Sequence, residues 1–288
     1  MRNQDWSLVF FTTLTQWSVG IILCVTLPII FSSDSSIFPI SGLSLANPVF
    51  LALLFTGVAT LVSFLHLGSP SNAPNALNNL SGSWLSREIL TIGVYSLCLL
   101  TVFILGWSTG NFVNYKYILL PGSVAGLALV WMMIRIYVMP TIPAWNTWYT
   151  PFSFVATTLC LGLLTVLFLQ YIGHLTISQQ ITRLFLISLV VILFIELTAG
   201  FIHQFKLEEM DTGIDDLVFN KGMFYRVFLV RMALLVIAFP IIFVILFQPD
   251  FLSGFGDYFW VILLLVLIIT QEIMGRLLFY SSYFRIGV

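Results

Sequence analysis

The sequence predicts an all-α integral membrane protein, a bundle of eight transmembrane helices with both termini on the same side. Three observations predict it. Of the 288 residues, 59% are hydrophobic and 8% are charged, whereas soluble domains carry about 25% charged residues, so a soluble surface this size would be left largely apolar. Apolar stretches near the ~20 residues that span a bilayer recur eight times along the chain. The short alternating strands of a membrane barrel are missing, and backbone groups in lipid must then be satisfied within helices.

The eight stretches follow in order. Leu8–Phe31 comes after Arg2 and Asp5, exceeds the 7–15-residue core of a signal peptide and has no Ala-x-Ala exit, so it reads as a retained first span. Pro48–Leu65 is the second and Ile89–Leu105 the third; the Gly-, Ser-, Asn- and Pro-containing segment Leu67–Arg87 separates them. Tyr117–Ile134 and Pro151–Ile172 flank an aromatic loop with Trp145, Trp148 and Tyr149. Leu184–Ile202 precedes Gln204–Arg226, which holds Glu208, Glu209, Asp211, Asp215 and Asp216; Val227–Phe247 and Tyr258–Phe279 complete the set. No stretch outside the spans is long enough for a soluble domain and no repeat stands out, so residues 1–288 read as a single membrane domain.

A formal net charge of −1 points neither to nucleic acid nor to a polybasic membrane-surface partner; the lipid bilayer is the partner the composition implies. Cys24, Cys98 and Cys160 lie far apart in apolar runs. That spacing supports neither an iron–sulfur cluster nor a zinc site held by this chain alone, and the thiols read as small buried hydrophobes.

Eight crossings put the N-terminus, the 67–87, 139–150 and 204–226 loops and the C-terminus on one face, A. Only Asp34, Lys116, Arg183, Asp250 and Asp257 fall nearer face B; the other eighteen charges fall nearer A. Lys and Arg favour A nine to two, which the positive-inside rule reads as cytoplasmic; basic residues that serve docking would give the same excess. Glu196, Arg231, Glu272 and Arg276 interrupt spans and Arg135 closes one, all in the A half. A charge at helix centre costs about 2.5–3.5 kcal/mol, so each needs a partner or a wet cavity. Glu272 and Arg276 are spaced i,i+4, favourable for a pair on one helix face. Five such residues in one half point to a polar site there, against the plainer reading of bundle-stabilising pairs and snorkelling arginines.

The densest chemistry lies between the second and third spans: His66, then the helix-breaking Gly68-Ser69-Pro70, then Arg87 and Glu88. His66 ends one span and Glu88 opens the next, so both meet face A on neighbouring helices. An imidazole, which titrates near pH 6.5 when unperturbed, beside a carboxylate makes a proton relay. Quinol oxidation needs one, because two protons leave with two electrons and the hydroxyls need an acceptor. The plainer alternative is a His capping its helix and a Glu at a helix N-terminus. Haem is the rival use of histidine; His174 lies at face B and His66 and His203 at face A, so at most one bis-histidine haem near face A fits. Arg135, beside Trp131 and the aromatic loop, offers a contact to a quinone carbonyl as well as an interfacial belt.

These residues resemble the membrane anchor subunit of dimethyl sulfoxide reductase, the DmsC family. The resemblance rests on Leu65-His66-Leu67-Gly68-Ser69-Pro70 with Leu77-Asn78 and Glu88, on Val130-Trp131-Met132-Met133-Ile134-Arg135 with Trp145 to Pro151, and on Glu272-Ile273-Met274-Gly275-Arg276 with Phe279-Tyr280. It implies a subunit of the bacterial cytoplasmic (inner) membrane. This subunit oxidises menaquinol in anaerobic respiration and passes electrons to an iron–sulfur subunit, and through it to a molybdopterin catalytic subunit. It implies no haem and no metal centre in this chain. His66 and Glu88 match the family's histidine and acidic residue for quinol, and Gly68, Ser69 and Pro70 match its turn. Where the family pattern often has a basic residue two positions after that proline, this sequence has Asn72.

Together the two lines of reading give a quinol site in the A half lined by His66, Glu88, Arg135, Glu272 and Arg276, with the acidic 204–226 loop as a docking surface. A polytopic secondary transporter is the alternative from another class; it would be expected to show repeat symmetry and paired broken helices. A purely structural anchor would not need the buried charges.

Overall fold

The computed structural model describes residues 3–31, 45, 47–64, 77–109, 116–175, 177–210, 222–247 and 255–283. Among them are eight α-helices and no strand: α1 (Asn3–Phe31), α2 (Pro48–Ser63), α3 (Trp84–Thr109), α4 (Lys116–Tyr137), α5 (Tyr149–Tyr171), α6 (Gln179–Met210), α7 (Gly222–Phe247) and α8 (Phe255–Ser281). Seven are long and apolar enough to cross a membrane, which makes this a multi-pass membrane protein. The exception is α2. Its 16 residues rise about 24 Å at 1.5 Å per residue, short of the ~30 Å hydrocarbon layer.

Local chemistry sets the start of α2. Asn47 caps it, its side chain accepting from Val49 N at 3.0 Å and Phe50 N at 3.3 Å, and Pro48 occupies the first turn, where its missing N–H is not needed. Pro28, Pro121 and Pro240 lie inside α1, α4 and α7, a placement membrane helices tolerate because neighbours satisfy the freed carbonyls.

Helices α1 and α5 form the centre, each packed by four others: α2, α4, α5 and α8 around α1, and α1, α4, α6 and α8 around α5. They cross backbone to backbone. A Cβ on Gly20 would lie 1.9 Å from the Thr158 carbonyl oxygen, and one on Gly162 would lie 2.3 Å from the Gly20 carbonyl. Lipid tails are as apolar as leucine, so burial supplies little drive between helices and close approach of small residues supplies it instead. Interhelical hydrogen bonds add to it. The Ser18 hydroxyl lies 2.8 Å from Thr56 Oγ1, 2.9 Å from the Tyr95 hydroxyl and 2.8 Å from the Ala52 carbonyl, joining α1, α2 and α3. Ser123 reaches Thr26 at 2.9 Å between α4 and α1, and Trp17 Nε1 donates to Thr165 at 2.6 Å.

Apolar residues face outward. On α3, Leu90, Val94, Leu97 and Ile104 are exposed at helical spacing, and on α4 so are Leu120, Val124, Leu127 and Trp131. The polar residues instead gather inside one end of the bundle. Thr12 and Gln16 near the start of α1 meet Tyr280 and Arg276 near the end of α8, at 3.3 and 2.8 Å.

Candidate functional site

Glu88, five positions into α3, is 5% exposed. No hydrogen bond or ion pair to it occurs among the described residues, although Tyr137 and Tyr280 lie within electrostatic reach.

An aromatic wall stands behind it. Tyr137 packs edge-on against Tyr280, Phe279 and Trp145, with centroids 5.5, 5.6 and 5.5 Å apart. Trp145 stacks on Phe279 at 5.1 Å and donates Nε1–H to the Phe279 carbonyl at 2.7 Å. Trp145 is thus an internal brace holding the 139–148 loop onto α8. Only Trp131 and Trp148 of the aromatic segment face outward, as an interfacial belt does.

Beyond the wall, four charges gather in the interior. Arg231 of α7 forms an ion pair with Glu196 of α6, donates to the Tyr149 hydroxyl at 2.8 Å and to Gln271 at 3.3 Å. A Cβ on residue 275 would lie 2.8 Å from the Arg231 Cζ, so Gly275 gives the guanidinium its room. Glu272 accepts from Thr157 at 2.7 Å and from Gln271 at 2.9 Å. Arg276 donates to Gln16 at 2.8 Å, Thr157 at 3.1 Å and the Ser153 carbonyl at 3.2 Å, and its Cζ lies 3.8 Å over Phe154. The i,i+4 spacing of Glu272 and Arg276 therefore gives a pair bridged by Thr157, with no direct ion pair between them. Two acids and two bases balance, which makes their joint burial tolerable.

Two small cavities open into this cluster. One of about 10 Å³ is lined by Tyr149, Ser153, Thr157, Arg231, Glu272, Gly275 and Arg276, enough for about one water and far too small for a quinone ring. The other, about 30 Å³, continues past Tyr149 and Arg231 to His203 and Gln204. Two lining residues carry buried atoms without partners among the described residues, Arg276 Nε and His203 Nδ1; Gln16 Nε2 and Glu196 Oε2 in the cluster are likewise unpartnered there. His203, weighed as a haem ligand, stacks on Tyr149 with centroids 4.2 Å apart; His174 is exposed.

Cys160, Glu196 and Glu272 bring ligand atoms within 4.8 Å of one another. Glu196 is committed to Arg231 and Glu272 to Thr157 and Gln271, and two guanidiniums already supply the positive charge a divalent ion would bring. The group does not suit a metal. The cysteines are free, Cys24 and Cys160 buried and Cys98 partly so.

The structure thus joins four of the five charges the sequence placed in the A half, and sets the fifth apart. Arg135 faces outward, its Cζ 4.9 Å from the centre of the Trp84 ring, against which Arg87 also lies at 4.2 Å. His66, Gly68, Ser69, Pro70 and Asn72 lie outside the described residues, as do 211–221 of the acidic loop. Gln16, Tyr149, Thr157 and Gln271 complete the cluster without having been anticipated. A glutamine in an otherwise apolar first span and another beside Glu272 were the available signals. A roomier cavity, about 320 Å³, sits at the other end among Gln170, Thr182, Arg183 and Ile245. Gln170 and Thr182 there bond to each other at 2.8 Å, and among the described residues no carboxylate or histidine lines it to take a proton.

The model of the DMSO reductase anchor subunit (DmsC) family matches residues 1–282. The protein is 26% identical over 294 residues to the YnfH chain of anaerobic dimethyl sulfoxide reductase of Escherichia coli K12, an overlap of 99% of this sequence and 96% of that one. It is 27% identical to the C subunit of anaerobic dimethyl sulfoxide reductase of Haemophilus influenzae over 98% of this sequence and 95% of that one. The corresponding C subunit of Escherichia coli K12 is 28% identical over 53% of each sequence. With an all-helical membrane bundle and a family match running from the first residue almost to the last, the chain belongs to the DMSO reductase anchor subunit (DmsC) family.

Proposed function

We propose that the chain is the membrane anchor and menaquinol-oxidising subunit of a dimethyl sulfoxide reductase-type molybdoenzyme complex in the bacterial inner membrane. The observation that carries this reading is Glu88: a carboxylate 5% exposed, without a hydrogen-bond donor among the described residues, at the end of the bundle where the buried charges gather. A quinol hydroxyl can serve as its donor. Oxidation of menaquinol releases two electrons and two protons. His66, which the resemblance matches to the family's quinol histidine, accepts the first proton. Glu88 accepts the hydrogen bond of a hydroxyl and hands protons toward water, and the resemblance matches Gly68, Ser69 and Pro70 to the family's turn. Glu272 and Arg276 stand behind Tyr137 and Tyr280 as positioning residues, Arg276 within electrostatic reach of both tyrosines. The electrons leave to an iron–sulfur subunit, and from it to a molybdopterin subunit.

The same contacts support eight crossings with both termini on face A. Thr12 near the start of α1 meets Tyr280 near the end of α8, and Glu88 at the start of α3 lies within reach of Tyr280. If α1 and α3 both begin at face A, the chain must cross once between them, and α2 is the helix available. The iron–sulfur partner then docks on face A, close to the quinol, with the acidic 204–226 loop as its contact.

The test uses the assembled complex. His66→Ala and Glu88→Gln should each lower menaquinol-dependent reduction by about 10²-fold or more. Reduction driven by a viologen dye that feeds the catalytic subunits directly should persist, as should assembly. Menaquinol turnover at the wild-type rate in His66→Ala would sink the assignment.

A further inference from the structure

The lipid-facing stripe of α4 runs Val124, Leu127, Trp131 and ends on Arg135, which is exposed. That of α3, read in the opposite direction, runs Leu97, Val94, Leu90 and ends on the half-buried Arg87. The two helices pack side by side, so the stripes converge at one end, where both guanidiniums lie against the Trp84 ring, 4.2 and 4.9 Å from its centre. Arg87 spends Nε and Nη2 on the carbonyls of Leu80 and Ser81, both at 2.7 Å. Arg135 makes no hydrogen bond among the described residues, and neither arginine has an ion-pair partner there. Two cations stacked on one indole, with no carboxylate among the described residues to balance them, lie where the apolar stripes give out.

From this convergence we infer that Trp84, Arg87 and Arg135 form a binding site for the headgroup of an anionic phospholipid, whose acyl chains lie along the α3 and α4 stripes. Stacking on Trp84 holds each guanidinium plane. The free edge of Arg135 offers paired N–H donors matched to phosphate oxygens. Continuity of both guanidiniums with the exposed leucines and valines of α3 and α4 favours a lipid, whose headgroup and chains would meet both, over a protein partner. Anionic lipid is favoured over zwitterionic because both positive charges lack an ion-pair partner among the described residues. Glu88, one residue beyond Arg87, is buried whereas Arg135 is exposed, and the inference does not depend on quinol oxidation.

Native mass spectrometry of the purified, assembled complex, loaded with phosphatidylglycerol or phosphatidylcholine, tests it. The wild-type complex should retain phosphatidylglycerol in preference to phosphatidylcholine, and millimolar inorganic phosphate should not displace it. Arg135→Gln should lower that retention about fivefold and the double variant with Arg87→Gln by more; Arg135→Lys should retain part of it. Equal retention of the two lipids by the wild-type complex, a measurement that needs no variant, overturns the inference. So does displacement by inorganic phosphate, or loss of the catalytic subunits from Arg135→Gln with lipid retention unchanged, which would mark a protein interface.

Discussion

Arg231 and Glu196 are where a single side chain matters most to the fold. Arg231→Met leaves Glu196 buried without its cation and also strips a donor from Tyr149 and Gln271. Breaking a buried pair by removing one partner costs about 3–5 kcal/mol, whereas replacing both with apolar residues of similar volume is often neutral. Thermal unfolding of the detergent-solubilised complex should therefore show a large drop in Tm for Arg231→Met, and recovery of most of it in Arg231→Met/Glu196→Met. A double variant as unstable as the single would mean that Tyr149 and Gln271 hold more of the cluster than the ion pair does. The identities of these residues were legible in the sequence, since a charge inside an apolar run is conspicuous. Their partners were not, because Arg231 and Glu196 are 35 positions apart and nothing local couples them.

Among the helices, the crossing of α1 and α5 sets the geometry. Gly162→Ala puts a methyl against the Gly20 backbone and Gly20→Ala puts one against the Thr158 carbonyl, so the central pair must separate. Overpacking of this kind costs about 1–3 kcal/mol. Gly57 and Gly93 provide the contrast, with open space where a Cβ would go; alanine there should be neutral or stabilising by up to about 1 kcal/mol through helix propensity. Unfolding temperatures of the four alanine variants should divide into these two pairs. The length and order of the helices were readable from hydropathy, because each span must satisfy its own backbone. The shortness of α2 was not: the apolar run Pro48–Leu65 outlasts the helix, which ends at Ser63. Nor was the inward turn of Trp145, since interfacial and internal tryptophans have the same sequence neighbourhood and differ only in whether another helix stands in front of them.

At the scale of the whole molecule, the one-sidedness of the buried charge is the property that function would use. Glu88 and the cluster of buried charges occupy a single end of the bundle, so the proposed reaction would release its protons toward one face. Reporter fusions placed after Val288 and before Met1 should give the same sidedness. Opposite signals would require an odd number of crossings and would put α2, the short helix, in a half-spanning position. The sequence by itself determined the class of molecule, the number of apolar runs and which charges had to be explained, because composition and hydropathy are local quantities and lipid penalises every unpaired polar group wherever it lies. The tertiary structure decided which charges meet. It drew Glu196, Arg231, Glu272 and Arg276 together across three helices, left Glu88 buried without a donor among the described residues, and turned Arg135 outward, because the azimuth of a side chain on one helix acquires meaning only against the helices packed around it.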